Sequence, residues 1–509
     1  MRVVTASTGQ RGARREWLGL AVLALPTLLV ALDIGALFLA LPRLSADLGA
    51  SGVEQLWITD IYGFMLAGFL ITMGNLGDRI GRRKLLLIGS VAFTAASVLA
   101  AYASSPAMLI GARALLGVAA ATLSPSTLAL ISNMFPDERQ RGRAISLWAG
   151  CQFGGAAFGP VIGGLMLERF WWGSVFLLAV PVMLLLLLTG PVLLPEYRNP
   201  SAGRIDRLSV VMSLGAVLPI VYGVKEFTVG DPAHPAVTTG ILAVGVSVGV
   251  LFVRRQLRLP DPLLDLGLLR RSSVRVALPA MLLASAALAG TSLMTTQYVQ
   301  SVAGLGPAAA GVLQSPTGLG IAAGTLLAPL ALRRWRPATA IVAGLGLSAS
   351  GLLVLTGVDT SGWLAVVVVV IAVVAFGVGP LFVLGTGMVV GAAPQERAGS
   401  AASLSETSNV FGSMLGLAFL GSVGAAVYRH RMADVALSGV PADVARAARE
   451  TIAGAVAASP SLAADLLAAA RAAFTAGLVV TSGVGAATFL AIAVLLAVHQ
   501  RRTTDSPDN

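Results

Sequence analysis

Four ionisable residues sit deep inside long apolar runs of this 509-residue chain: Asp33, Asp60, Arg113 and Glu406. At the centre of a helix in hydrocarbon each costs about 2.5–3.5 kcal/mol, so each needs a partner, a wet cavity or a task. A carboxylate there can take up and release a proton, and can attract a cation where charge is poorly screened. The other proton carriers are missing. His234, His430 and His499 fall in loops or at a span end, and the single cysteine, Cys151, excludes an intrachain disulfide. No Cys/His cluster offers a metal site. The only lysines, Lys84 and Lys225, do not follow glycine, so a Walker phosphate loop is absent and no ATP site of that kind is expected. Any proton carried within the membrane must therefore ride on carboxylates, and no enzyme activity and no cofactor are expected.

The elements that must position these groups are membrane spans. The composition is 56% hydrophobic and 12% charged, too apolar for a water-exposed fold. The formal charge of +11 comes from bases in short turns between apolar runs, which argues against nucleic acid and for topology. Fourteen apolar runs, from 17–41 to 473–498, predict an all-α polytopic membrane protein. Arg11, Arg14 and Arg15 precede a first run too long for a signal-peptide core, so it reads as an uncleaved span. The weight of Lys and Arg then puts both termini in the cytoplasm of a multi-pass protein of the cell membrane. Helix rise places Asp33, Asp60 and Arg113 each roughly 9–14 Å below the outer ends of spans one, two and four, and Glu406 roughly 13 Å above the inner end of span thirteen. A buried cluster of the first three is geometrically open. Equally open is the bland alternative, in which Asp33 or Asp60 merely neutralises Arg113 and Glu406 lines a wet wall.

Between the second and third runs stands Gly74-Asn75-Leu76-Gly77-Asp78-Arg79-Ile80-Gly81-Arg82-Arg83-Lys84. Gly77 and Gly81 are expected to permit a sharp reversal, with Asp78 meeting Arg79 or Arg82 or capping a nearby helix. An internal repeat organises the rest. Pro136-Asp137-Glu138-Arg139 recurs as Pro394-Gln395-Glu396-Arg397, and Gly155-x-x-x-Gly159 as Gly412-x-x-x-Gly416, at an offset of 257 or 258 residues. Copies so spaced imply two parallel six-span bundles, residues 1–200 and 276–509, joined by two extra spans and a basic loop in 201–275. The segment 429–471 reads as short external helices starting near Pro441 and Pro460.

The stretch from Gly74 to Lys84 resembles the G-x-L-x-D-R-x-G-R-R signature of the major facilitator superfamily. Leu32-Asp33 through Ala40-Leu41-Pro42 looks like the first-span L-D-x-x-x-x-x-x-A-L-P signature of its 14-span drug:proton antiporters. Arg113-Ala114-Leu115-Leu116-Gly117 is similar to the R-x-x-x-G element, whose arginine is linked to proton coupling. Gly155-x-x-x-Gly159-Pro160-x-x-Gly163-Gly164 resembles the antiporter signature G-x-x-x-G-P-x-x-G-G. Small residues spaced by four let helices approach, and Pro160 removes a backbone hydrogen bond at a bend. Trp171-Trp172-Gly173 departs from the family's W-R-W. The resemblance implies the major facilitator fold and export of lipophilic, often cationic drugs in exchange for protons. It matches Asp33 and Glu406 to family acids.

Aromatic and polar residues that could line a cavity and stack on a planar cation are Phe38, Trp57, Tyr62, Gln152, Met294, Gln297 and Tyr298. Packing or interface anchoring is the alternative for each. Span ten carries no acid, which favours monocationic substrates. The expected partners are small lipophilic or cationic drugs, protons and membrane lipid, with the chain acting as a monomer. Dedicated export of an endogenous metabolite or antibiotic is the alternative within transport. A non-transporting receptor would have no use for the buried acids.

Overall fold

A computed structural model describes residues 4–504 apart from 51, 199–205, 230–234, 260, 261, 263–265, 361, 362, 395, 396, 434, 436–440 and 458–463, and the described residues contain no strand. The helices are α1 (Val4–Leu48), α2 (Gly52–Ile80), α3 (Arg82–Ala101), α4 (Pro106–Met134), α5 (Glu138–Arg169), α6 (Ser174–Leu177) and α7 (Ala179–Leu193) in a first set. A hairpin of α8 (Arg207–Val229) and α9 (Pro235–Gln256) follows. The second set is α10 (Ser272–Gln297), α11 (Pro307–Ala331), α12 (Pro337–Leu355), α13 (Leu364–Ala392), α14 (Ala398–Ala433), two short helices α15 (Ala442–Glu450) and α16 (Ile452–Ala457), and α17 (Ala464–Thr504).

Packing repeats between the sets. α1 lies along α5 and α2 along α4; in the same way α10 lies along α14 and α11 along α13. The repeated glycines explain why. A Cβ at Gly155 would run into the Leu28 carbonyl of α1, and one at Gly159 would stand 2.7 Å from the Leu32 carbonyl. At Gly412 and Gly416 the obstacles are the Leu282 and Ala286 carbonyls of α10. Backbone touches backbone in both seams, and only a side chain of hydrogen fits. α5 bends by 43° between Gly159 and Val161, at the proline that sequence places there.

Twelve described helical segments are long and apolar enough to cross a membrane, thirteen with the bent α5. α11, diluted by Gln314, Ser315 and Thr317 and carrying Pro316 and Pro329 in its interior, is not among them. The sixth run is broken at Leu178 into α6 and α7. Outside the spans, α15 begins at the expected proline, whereas the start expected at Ser459-Pro460 lies outside the described residues. Tyr428 at the end of α14 donates to the Ala448 carbonyl at 2.6 Å, so α15 is fastened onto the second set.

The Gly74–Lys84 stretch is not the turn that composition suggests. α2 continues through Gly77 to Ile80, because glycine is tolerated in a helix that packs closely, and the reversal is left to Gly81 alone at φ 113°. The two sets are fused at this basic end, where Val274 of α10, Val389 and Val390 of α13 and Ala398, Ala401 and Ala402 of α14 join the core of the first set.

Adjacent glycines of α5 offer a test of the seam. Gly155→Ala should destabilise the protein by about 1–3 kcal/mol through overpacking. Gly154→Ala, where an added Cβ meets nothing within 4 Å, should leave the thermal midpoint in detergent unchanged or raised. Equal midpoints for the two variants would refute the backbone-contact reading.

Candidate functional site

Three constellations of charge lie within the helices. In the first, α4 presents Arg113, which is 1% exposed, to α1 and α2. Its Nη1 bonds the Asp33 carboxylate at 2.6 Å, its Nε donates to the Ile58 carbonyl at 3.2 Å, and its guanidinium sits 4.6 Å over the Tyr62 ring. A Cβ at Gly117 would collide with the Tyr62 carbonyl, so the glycine one turn beyond the arginine is what lets α2 come close enough to form this contact. Of the two acids that depth allowed, Asp33 takes the arginine. Asp60 lies on the opposite side of α2 from Tyr62, on the strip of Trp57, Phe64 and Gly68 that faces α8. Of the cluster that common depth leaves open, Asp33 and Arg113 are brought together.

The second constellation crosses between the sets. Glu406, 9% exposed in the third turn of α14, has the Gln152 side chain of α5 as a polar neighbour. The next residue of α5, Phe153, stacks on Phe382 of α13 with ring centroids 5.7 Å apart. A carboxylate drawn that far from water can bind a proton or pair with a cation.

The third closes the basic end. Arg82 is fully buried and its Nε bonds Asp78 Oδ1 at 2.8 Å, while its Nη2 reaches both that oxygen and the Gly74 carbonyl. Asp78 Oδ2 accepts from the backbone N–H and the hydroxyl of Ser400, each at 3.0 Å, in the first turn of α14. Asp78 thus does both things expected of it: it meets Arg82, and it caps a helix. Gly399 and Gly77 border the guanidinium so closely that a Cβ at either would overlap it. Arg79 turns away to Asn75, at 2.7 Å.

One contributor was missed in sequence. Glu196, past α7, accepts from the Arg83 and Lys84 N–H groups at 3.1 and 3.2 Å, capping α3, and Tyr197 accepts from Arg82 N–H at 2.9 Å. An acid in a basic neighbourhood was visible there, but not which helix start it serves.

Several expected ligand contacts are committed elsewhere. Tyr298, 2% exposed, fills the core of the second set and donates to the Asp359 carbonyl at 2.8 Å. Tyr62 is covered by Arg113, and Met294 is buried in the second core. Trp57 stacks on Tyr222 of α8, leaving 36% of it exposed. Gln297 is half-buried. The side chains of Phe38 and Pro160 lie outside the described residues.

Comparison with known proteins places these features in a family. The model of the Major Facilitator Superfamily matches residues 23–417. The chain is 41% identical to the multidrug efflux pump LfrA of Mycolicibacterium smegmatis, over 97% of this chain and 98% of that one. It is 36% identical to the methyl viologen resistance protein SmvA of Salmonella typhimurium, over 80% and 82% of the two chains. The puromycin resistance protein of Streptomyces alboniger is 33% identical, over 82% and 84%. Among solved structures, the human organic anion transporter MFSD10 shares the arrangement of helices at a TM-score of 0.61 and 16% identity, covering 94% of this chain and 99% of its own.

Removing one partner of a buried ion pair strands the other, at a cost of about 3–5 kcal/mol. Asp33→Asn should therefore lower thermal stability, and the double variant with Arg113→Gln should recover much of it, as a thermal double-mutant cycle reads. Additive losses would mean that the two residues do not share one interaction. Asp78→Asn should expose the basic end, increasing thiol labelling of a cysteine placed at Ser403, behind the Asp78–Ser400 contact. Unchanged labelling would mean that the Asp78–Ser400 contact does not shield this end.

Proposed function

The chain belongs to the major facilitator superfamily, and from that premise we propose that it is a proton-coupled multidrug exporter of the cell membrane, taking lipophilic, monocationic compounds. It is a transporter and not an enzyme. The observation that carries the coupling is the burial of Glu406, a carboxylate only 9% exposed within the long apolar helix α14. Relatives that bear the names of drug efflux pumps and resistance proteins support the substrate class.

In this reading the basic end faces the cytoplasm, both termini lie there, and α11 is the fourteenth span. The two sets are six-span bundles that rock about a midplane cavity. With the Asp78–Ser400 contact made, the cytoplasmic end is shut. Opening it requires Ser400 to leave Asp78 and Arg82 to leave its niche beside Gly399. Glu406 then meets a drug from the inner side, exchanges its proton for the cation, and regains a proton from outside after release. Competition for one carboxylate gives antiport without contact between the two ligands. A proton moving down a potential of 100 mV supplies about 2.3 kcal/mol, enough for a modest drug gradient. Asp33, held by Arg113, orders the first bundle, and a proton on Asp33 would release the arginine. In this reading a single chain carries out the cycle as a monomer.

Ethidium transport by energised everted vesicles should collapse on adding a protonophore. Glu406→Gln should abolish coupled transport, weaken binding of a permanently monocationic dye to the purified protein, and flatten the dependence of that binding between about pH 5.5 and about pH 8.5. Transport indifferent to the protonophore would overturn proton coupling. Unchanged dye affinity and pH profile would return Glu406 to a wall position.

A further inference from the structure

We propose that the groove between the α8–α9 hairpin and the second set is a binding site for an anionic phospholipid, whose phosphate is met by Arg254 and whose acyl chain runs inward along the groove. The cavity is about 630 Å³ and is lined by side chains from α2, α8, α9, α10 and α14. Its walls are Val217 and Ile220 of α8, Val246 and Val250 of α9, Leu282 of α10 and Phe411 of α14. From Arg254 at its rim to Val246 is roughly 12 Å of helix, so the groove extends well into the hydrocarbon. It suits a chain of methylenes, since its lining is mostly aliphatic and offers a polar ligand few partners.

The charge at the rim selects the head group. Two arginines stand side by side at the end of α9, and they are in different states. Arg255 is bound to Asp206 at 2.8 Å, where Ser209 also donates to the same carboxylate oxygen at 2.7 Å. Those bonds, from Arg255 first and Ser209 second, hold the Asp206 carboxyl down at about 2, so it stays ionised and Arg255 stays neutralised at physiological pH. Arg254 is exposed and lines the cavity. A single positive charge at the mouth of an apolar groove complements a phosphodiester with a net negative charge and repels a lipophilic cation. The deep end reaches Thr407 and Ser408, the residues after Glu406. An acyl chain seated there packs against the turn of α14 that bears the buried acid.

The test is native mass spectrometry of the full-length purified protein, titrated with phosphatidylglycerol and, separately, phosphatidylcholine of the same chains. Adducts of the anionic lipid should outnumber those of the zwitterionic one. Arg254→Gln should weaken phosphatidylglycerol binding about fivefold, the worth of one basic residue beside an anionic lipid surface. Arg334→Gln, an exposed arginine in the α11–α12 turn, should not. Gly249→Leu keeps Arg254 and fills the groove, where an added Cβ meets only Ala216 at 3.6 Å, and it too should lose the adduct. Equal binding of the two lipids, equal losses for the Arg254 and Arg334 variants, or an unchanged adduct in Gly249→Leu would each overturn the proposal. So would displacement of phosphatidylglycerol by ethidium at lower concentration than by phosphatidylcholine, which would make the groove a drug site.

Discussion

A guanidinium wholly shielded from solvent has to be surrounded by acceptors, and the architecture of the basic end follows from that demand on Arg82. The acceptors come from α2, as Asp78 and the Gly74 carbonyl. The room comes from glycines on two helices, Gly77 and Gly399, one on each side of the boundary between the sets. The remaining oxygen of Asp78 is filled by the first turn of α14, so one carboxylate neutralises a buried charge and ends a helix of the other half. Arg82 Nη1 still finds no acceptor. A knot that leaves one donor unsatisfied is held less tightly than one in which every donor is met.

The same logic operates at mid-depth with different weights. Asp33 and Arg113 satisfy each other inside one bundle, and their partners Ile58 and Tyr62 belong to that bundle as well. Glu406 looks across to Gln152 in the other. A contact within one bundle survives a rigid-body swing; a contact between bundles changes with it. The two acids are therefore unequal: Asp33 is paired within its own set of helices, and Glu406 has its polar neighbour in the other set.

What the sequence made legible is what local spacing encodes. Glycines four apart announced two close seams, and the matching positions of Gly155 and Gly412 against α1 and α10 reflect an offset readable in the chain itself. Asp33, Arg113 and Glu406 were visible because charge in an apolar run is conspicuous. Partners across the fold were not. Nothing in the spacing of Asp78 says Ser400, 322 residues away, and nothing in Glu196 says α3. Asp60 and Asp33 had equal depth, and only the angular position of Tyr62 on α2 separates them. Tyr298 looked like a cavity residue because composition cannot distinguish a phenol that bonds a backbone carbonyl from one that faces a ligand. Gly77 looked like a turn because glycine serves two ends, reversal and proximity, and the second applied.

The α8–α9 hairpin touches α2 of the first set and α14 of the second. Its polar bonds at the foot, Asp206 to Arg255 and Ser209 to Gln256, are internal, while its faces toward the two bundles carry aliphatic and aromatic side chains such as Val217, Val221 and Phe252. Contacts of that kind have no preferred register and re-form after a slide of a few ångströms, unlike hydrogen bonds, which must break. The hairpin is therefore suited to act as a plain bearing: a stiff, greased shim along the seam between the two sets, held by contacts that resist sliding in neither direction.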